Sequence, residues 1–238
     1  MRARRRARWA VAVVGLLVVV LALVVVDRIA AARVEQAVAD GFTARVEDPV
    51  GEPRVEVGGF PVLTQLAAGR IDDVDIRLDG ATLGGVAMTD LAIAARGVPT
   101  TGPQRMDHVD VHAIVPAASV QDLVTQRTEL DVEVGVQGDE LELRGTALGL
   151  PLVATLTPRV VDGRLLVDLG SVSVGGVELD PTLLPQDVSG RLTGLEVPLE
   201  GLPEGLVLTD AVVDPAGLRI TASGTDVTIP PPSLTLHS

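Results

Sequence analysis

From Arg54 onward this 238-residue chain alternates apolar and polar side chains, and that period of two restricts its fold more than any other feature. In RIDDVDIRLDG, Val74, Ile76 and Leu78 point one way and Asp73, Asp75, Arg77 and Asp79 the other. MDHVDVHAIV sets Val109, Val111, Ala113 and Val115 against His108, Asp110 and His112. ELDVEVGVQGDELELRG repeats the pattern through Leu130, Val132, Val134 and Val136, then through Leu141 and Leu143 beyond a Gly138-Asp139 turn. GRLLVDL, SVSVGGVEL, GLVLTDAVV and GLRITASGTDVTI continue it. Such stretches are half-buried strands joined by Gly, Pro and Asp turns, most simply paired antiparallel. Two short segments break the alternation. PVLTQLAAG gathers Val62, Leu63, Leu66 and Ala67 on one helical side, with Pro61 suited to the first turn and Gly69 to a left-handed end. PAASVQDLVTQ does the same with Val120, Leu123 and Val124 behind Pro116. The predicted class is α+β, mostly β.

The beginning of the chain follows a different rule. MRARRRAR carries five Arg, and the eighteen residues from Trp9 to Val26 have no polar side chain. At about 1.5 Å per helical residue that run covers roughly 27 Å, close to the ~30 Å hydrocarbon core of a bilayer. The basic cluster predicts a cytoplasmic N-terminus at residues 1–8, a signal anchor at 9–26 and an exported domain at 27–230, with 231–238 as a tail. A cleaved signal peptide is the alternative, with Ala30-Ala31-Ala32 as the cleavage site and a secreted product. Beyond the run, Ile29, Val34, Ala37, Val38 and Phe42 recur at helical spacing, so an amphipathic helix is expected to continue to about Gly41. Asp48 to Pro53 reads as a loop.

Charge and residue usage remove several function classes. Without the five N-terminal Arg, 14 of the 19 basic residues remain against 32 acidic ones, a net −18. This surface argues against nucleic acid as a partner, because phosphate binding needs clustered cations, and against charge-driven adhesion to anionic lipid. With no Cys, disulfides and thiolate metal sites are absent. His108-x-Asp110-x-His112 places three metal-type ligands on one strand face, but neighbours two apart are ~6.6–7 Å from each other, so a solvated polar face is the better account. Asp75-x-Arg77-x-Asp79-Gly80 fails the calcium-loop pattern at Arg77 and at Val86. Gly84-Gly85 and Gly175-Gly176 read as turns rather than phosphate cradles. No nucleophile motif is present, and no cofactor or metal is expected. A carboxylate pair of the glycosidase kind stays open, since no spacing singles one out.

One stretch remains. The chain has only two Phe, and Phe60 stands in GGFPVLTQLAAGR. The segment VEVGGFPVLTQLAAGRIDDVDIRL, Val55 to Leu78, closely resembles the signature of the LmeA-like phospholipid-binding proteins of actinobacterial cell envelopes. That signature is a strand, Gly-Phe-Pro, a leucine-bearing helical turn, Gly-Arg and an alternating acidic strand. GVAMTDLAIAARGV and LPEGLVLTDAVVDPAGLRITASGTDVTI fit the same family, over roughly residues 33–229. The resemblance implies a long helix wrapped by a strongly curved antiparallel sheet, with acyl chains in an apolar channel between them. It implies phospholipid as ligand, a role in mannan-glycolipid elongation, and envelope glycosyltransferases as partners. Gly59, Phe60, Pro61, Leu63, Leu66 and Gly69 match the signature. With Val38 and Phe42 on the helix and Val74, Ile76 and Leu78 on the strand, the expected lipid-binding residues are Val38, Phe42, Phe60, Pro61, Leu63, Leu66, Val74, Ile76 and Leu78. An interior built from Val, Leu, Ile and Ala agrees independently, because it offers an apolar lining without polar handles. The alternative is an envelope scaffold that holds a synthase and has a filled interior.

Overall fold

The structure is a computed structural model that describes residues 2–44, 46–83, 85–102, 104–128, 132–147, 150–179, 195–197 and 202–229. Leu130, the Pro230-Pro231-Pro232 run and the tail with His237 lie outside the described residues.

The apolar run and the amphipathic stretch form one continuous helix, α1 (Arg2–Thr43). Among the described residues it is long and apolar enough to cross a bilayer. Two short strands follow, β1 (Glu47–Val50) and β2 (Arg54–Val57), then α2 (Val62–Ala68). The long strands β3 (Arg70–Leu83), β4 (Val86–Pro99) and β5 (Gln104–Pro116) lead to α3 (Ala117–Thr128). Next come β6 (Val132–Gln137), β7 (Glu140–Ala147), β8 (Leu150–Val161), β9 (Arg164–Val174), β10 (Val177–Leu179) and β11 (Leu195–Val197). The chain closes with β12 (Glu204–Asp214) and β13 (Gly217–Ile229).

Among the described residues all pairings are antiparallel, and the strands form two sheets. The first runs β1-β3-β4-β5-β13-β12, with β2 also on β3; the second runs β10-β9-β8-β7-β6, with β11 also on β9. Neither ladder closes on itself among the described residues. The α+β, mostly β class and the two helical interruptions are as the alternation predicts.

Local departures have physical causes. Pro61 stands just before α2 in extended backbone rather than in its first turn, and Pro116 closes β5 rather than opening α3. The segment expected as a loop overlaps β1, an exposed edge strand on β3 whose register slips between Glu47 and Val50. Gly80 makes that approach possible, because a Cβ there would press on Val50 and on the Met88 carbonyl. The β8 strand, with Pro151 and Pro158, carries two residues that usually end strands. Pro158 lies beyond the last β7 partner, Leu156, where one flank has no strand to pair. The α1 helix runs through Gly41 to Thr43, whose hydroxyl donates to the Ala39 carbonyl. Ile29 and Ala37, expected on its apolar side, are exposed.

The main core is the inner face of the first sheet. Leu78, Leu91, Ala95, Val109, Ala113, Leu208, Leu218 and Ala222 are buried there, covered by Phe42 from α1, Val120 from α3, and Val160 and Leu165 from the β8–β9 hairpin. Asp162 and Gly163 both take left-handed φ in that hairpin's turn, the geometry a two-residue hairpin requires. A smaller cluster on the second sheet, around Ala154 and Val172, leaves Leu143, Leu152, Leu156 and Val174 half-buried.

Candidate functional site

The covered side of α1 reads Val24, Asp27, Ala31, Val34, Val38, Phe42, at spacings of three and four. That is one helical face. Its contacts run in sequence from α2 through β2 to the core. Asp27 is 2% exposed, and its Oδ1 accepts the Leu63 N–H at 2.9 Å. Leu63 is the second residue of α2, so a carboxylate from α1 satisfies one of the free N–H groups at that helix's start. Glu35, two turns further along α1, accepts the Val57 N–H of β2 at 3.3 Å.

Gln65 fixes α2 from the opposite side. It is 8% exposed; its Nε2 donates to the Gly58 carbonyl at 3.2 Å and its Oε1 accepts the Asp72 N–H at 2.8 Å. Among the described residues, Asp27 and Gln65 are the buried polar side chains, and both bond backbone in or beside α2. Burying such groups is tolerable only when they are hydrogen-bonded, so this short helix is held by fully committed partners. Gly59 lies at φ +80, and a Cβ there would collide with the Gln65 amide. Gly69 ends the helix at φ 76, and its carbonyl accepts the Thr100 N–H at 3.0 Å.

The strand register then produces an apolar strip. Val55 pairs with Ile76, Ile76 with Ile93, Ile93 with Val111, and Val111 with Ala222. Ala222 is buried, but Val55, Ile76, Ile93 and Val111 are each only half-buried. The flanking row Val74, Ala95 and Val109 is buried, as are Leu78 and Leu91. Val34, Val38 and Phe42 on α1 are half-buried as well.

The nine expected residues thus divide into groups. Val74 and Leu78 are consumed by the core, while Ile76 belongs to the half-buried strip. Val38 and Phe42 lie on the covered face of α1, with Phe42 against the core. Phe60 and Pro61 are exposed, Leu63 is 39% exposed and Leu66 half-buried. Sequence reasoning did not single out Asp27, Glu35, Gln65 or Ile93. Asp27 did carry a signal, being the first ionisable residue after the apolar run.

The other face of the first sheet is polar. His108 Nε2 lies 3.0 Å from Asp110 Oδ2, and the Ser223 hydroxyl donates to Asp110 Oδ1 at 2.8 Å. His112 Nδ1 is 3.2 Å from the Thr221 hydroxyl. The Ser223 hydrogen bond, helped by the charge of His108 and opposed by desolvation, holds the Asp110 carboxyl below its ordinary range. A serine is activated when a histidine takes its proton. Here the carboxylate stands between the two, so the Ser223 hydroxyl donates to Asp110 and not to His108. A recess of about 310 Å³ over β3 and β4 is lined by Asp73, Val74, Asp75, Ala94, Ala95 and Arg96. Its charged rim suits water and ions better than an acyl chain.

Comparison with curated proteins and with solved structures gives no match. The model of the LmeA-like phospholipid-binding family matches residues 25–223, from the end of the apolar run through α2, the strip and most of β13. With that span covering most of its length, the chain belongs to the LmeA-like phospholipid-binding family.

Proposed function

We propose that residues 9–26 anchor the protein in the cell membrane, with residues 1–8 cytoplasmic, and that residues 27–230 form an extracytoplasmic domain that holds or shuttles a phospholipid. The observation that carries this reading is the strip Val55, Ile76, Ile93 and Val111. Three inter-strand intervals of about 4.8 Å make it roughly 14 Å long. Four in-register aliphatic side chains stay partly exposed, Ile93 and Val111 at the margin of the main core, and a fatty chain laid along them would complete their burial.

Each acyl methylene removed from water contributes about 0.8 kcal/mol. A 16-carbon chain therefore offers about 12 kcal/mol gross, reduced considerably by ordering and desolvation. Nothing in such binding asks for a catalytic group, and the role is binding rather than turnover. Val38, Phe42 and Ile76 form the expected acyl contacts, and Phe60, Pro61, Leu63 and Leu66 the surface by which lipid arrives. The family resemblance extends the reading to mannan-glycolipid biogenesis in the cell envelope, with glycosyltransferases as partners.

The test is a phospholipid with a photoactivatable group in its acyl chain, added to the full-length protein in membranes, with crosslinks mapped by mass spectrometry. Adducts on β3, β4 or β5 peptides bearing Ile76, Ile93 or Val111 are expected. Adducts confined to residues 9–26 would sink the reading and favour the scaffold with a filled interior.

A further inference from the structure

We propose that α2 is a membrane-contact wedge. Phe60 and Leu63 sit among the lipids on the outer face of the bilayer that α1 crosses, and Asp27 is the positioning residue that keeps them there. The proposal rests on the membrane-spanning reading of α1.

Three observations lead to it. First, α2 is tied to the point where the apolar segment ends. Asp27 directly follows Val26, and its carboxylate holds the Leu63 N–H. If residues 9–26 fill the hydrocarbon, Asp27 and the start of α2 share the level of its boundary. Second, of the two elements that pack on α1, α2 meets it nearer the apolar segment. The β2 strand meets α1 at Glu35, eight residues further along, or about 12 Å higher at 1.5 Å per residue. Covering of the helix even reaches below Asp27: Val24 is half-buried while Leu23, Val25 and Val26 are exposed.

Third, four apolar side chains at this level are exposed, beside the polar Arg28 and Thr64. Phe60 is 60% exposed, Pro61 and Leu63 are exposed, and Ile29, one helical turn above Val25 on α1, is exposed too. An exposed ring in a chain with only two Phe costs free energy in water and gains it in lipid. The buried hydrogen bonds of Asp27 and Gln65 hold the backbone that displays it. Ile29 and Phe60 depart from an ordinary amphipathic core pattern for one shared reason, since the environment that completes both is the bilayer interface. The ends of the strip and the wedge belong to consecutive segments, β2 and α2, so lipid entering past the wedge meets the strip first at Val55.

The chain's single tryptophan, Trp9, makes the test direct. The full-length protein is reconstituted in phosphatidylcholine vesicles brominated on the upper acyl chain, a zwitterionic surface that does not repel the acidic domain. In a Trp9→Phe background, Phe60→Trp supplies a reporter, and Leu63→Trp a second one that guards against local disturbance. Both reporters are expected to emit at shorter wavelength and to lose intensity to the brominated lipid while resisting aqueous iodide. Asp27→Ala should lower the bromine quenching at position 60, and Asp27→Asn, whose amide oxygen can accept the same bond, should retain it. Reporters quenched by iodide and indifferent to bromine, with native Trp9 still quenched by bromine, would overturn the wedge and leave the anchor standing. Indifference of Trp9 as well would remove the anchor and the wedge together. Unchanged quenching in Asp27→Ala would overturn the role given to Asp27.

Discussion

The two halves of α1 are continuous in backbone and opposite in environment. From Leu16 to Val26 almost every side chain is exposed, whichever way it points. From Asp27 to Phe42 one face is covered and the other carries Arg28, Arg33, Gln36 and Asp40 in solvent. A helix apolar all round needs apolar surroundings on its whole circumference, in a protein core or a bilayer, whereas one with a single apolar stripe needs one packing partner. A single residue, Asp27, separates the two regimes. The comparison teaches that the folded domain packs onto α1 from the point where the all-apolar segment ends.

That contrast can be broken from either side, and the largest effects should come from charges placed in each half. Leu17→Arg, in the exposed apolar half, should cost about 3 kcal/mol of membrane insertion on the translocon scale while leaving the fold of the outer domain intact. The fraction of protein that stays with membranes after an alkaline wash measures it. Ala31→Arg should do the reverse. Ala31 is 5% exposed on the covered face, so overpacking there should destabilise the domain by about 3 kcal/mol without releasing the protein from membranes. Denaturant unfolding of the reconstituted protein reads that loss.

Next comes Gly59→Ala. A left-handed φ with a new Cβ against the Gln65 amide should cost about 2 kcal/mol, seen as faster amide exchange confined to α2 and β2. Smaller still in stability is Phe60→Asp. The ring is exposed, so folding stability should move by no more than about 0.5 kcal/mol while lipid association falls. A large drop in melting temperature instead would make the ring structural. The smallest effect concerns pH. The Asp110 carboxyl is depressed when folded, so its contribution to stability is complete above the ordinary carboxylate value of about 4 and is lost as pH falls through the folded value. Melting temperature against pH should show a shallower acid limb in Asp110→Asn than in the parent.

Legibility in the sequence followed the range of the forces involved. The phases of β3, β5, β9, β12 and β13, and the existence of α2 and α3, could be read because side-chain period is a property of neighbours along the chain. Gly69 and the Gly138-Asp139 turn were readable for the same reason: each is an answer to a local φ requirement. The Asp27–Leu63 and Gln65–Asp72 bonds were not, because which N–H lacks a partner depends on how elements dock. Nor could sequence tell Ile76 from Val74 and Leu78. All three share one face of β3, and only the coverage above them differs.

By itself, then, the sequence determined the apolar first segment, the alternating β body, the acidic solvent faces and the Gly-Phe-Pro element, since composition and short-range periodicity encode all of these. Only the tertiary structure decided that Asp27 caps a helix thirty-six residues away, that Phe60 faces outward, and that a strip of aliphatic side chains is left half covered. Those outcomes depend on strand register and on which surfaces meet, and long-range packing has no signature in any single stretch of chain.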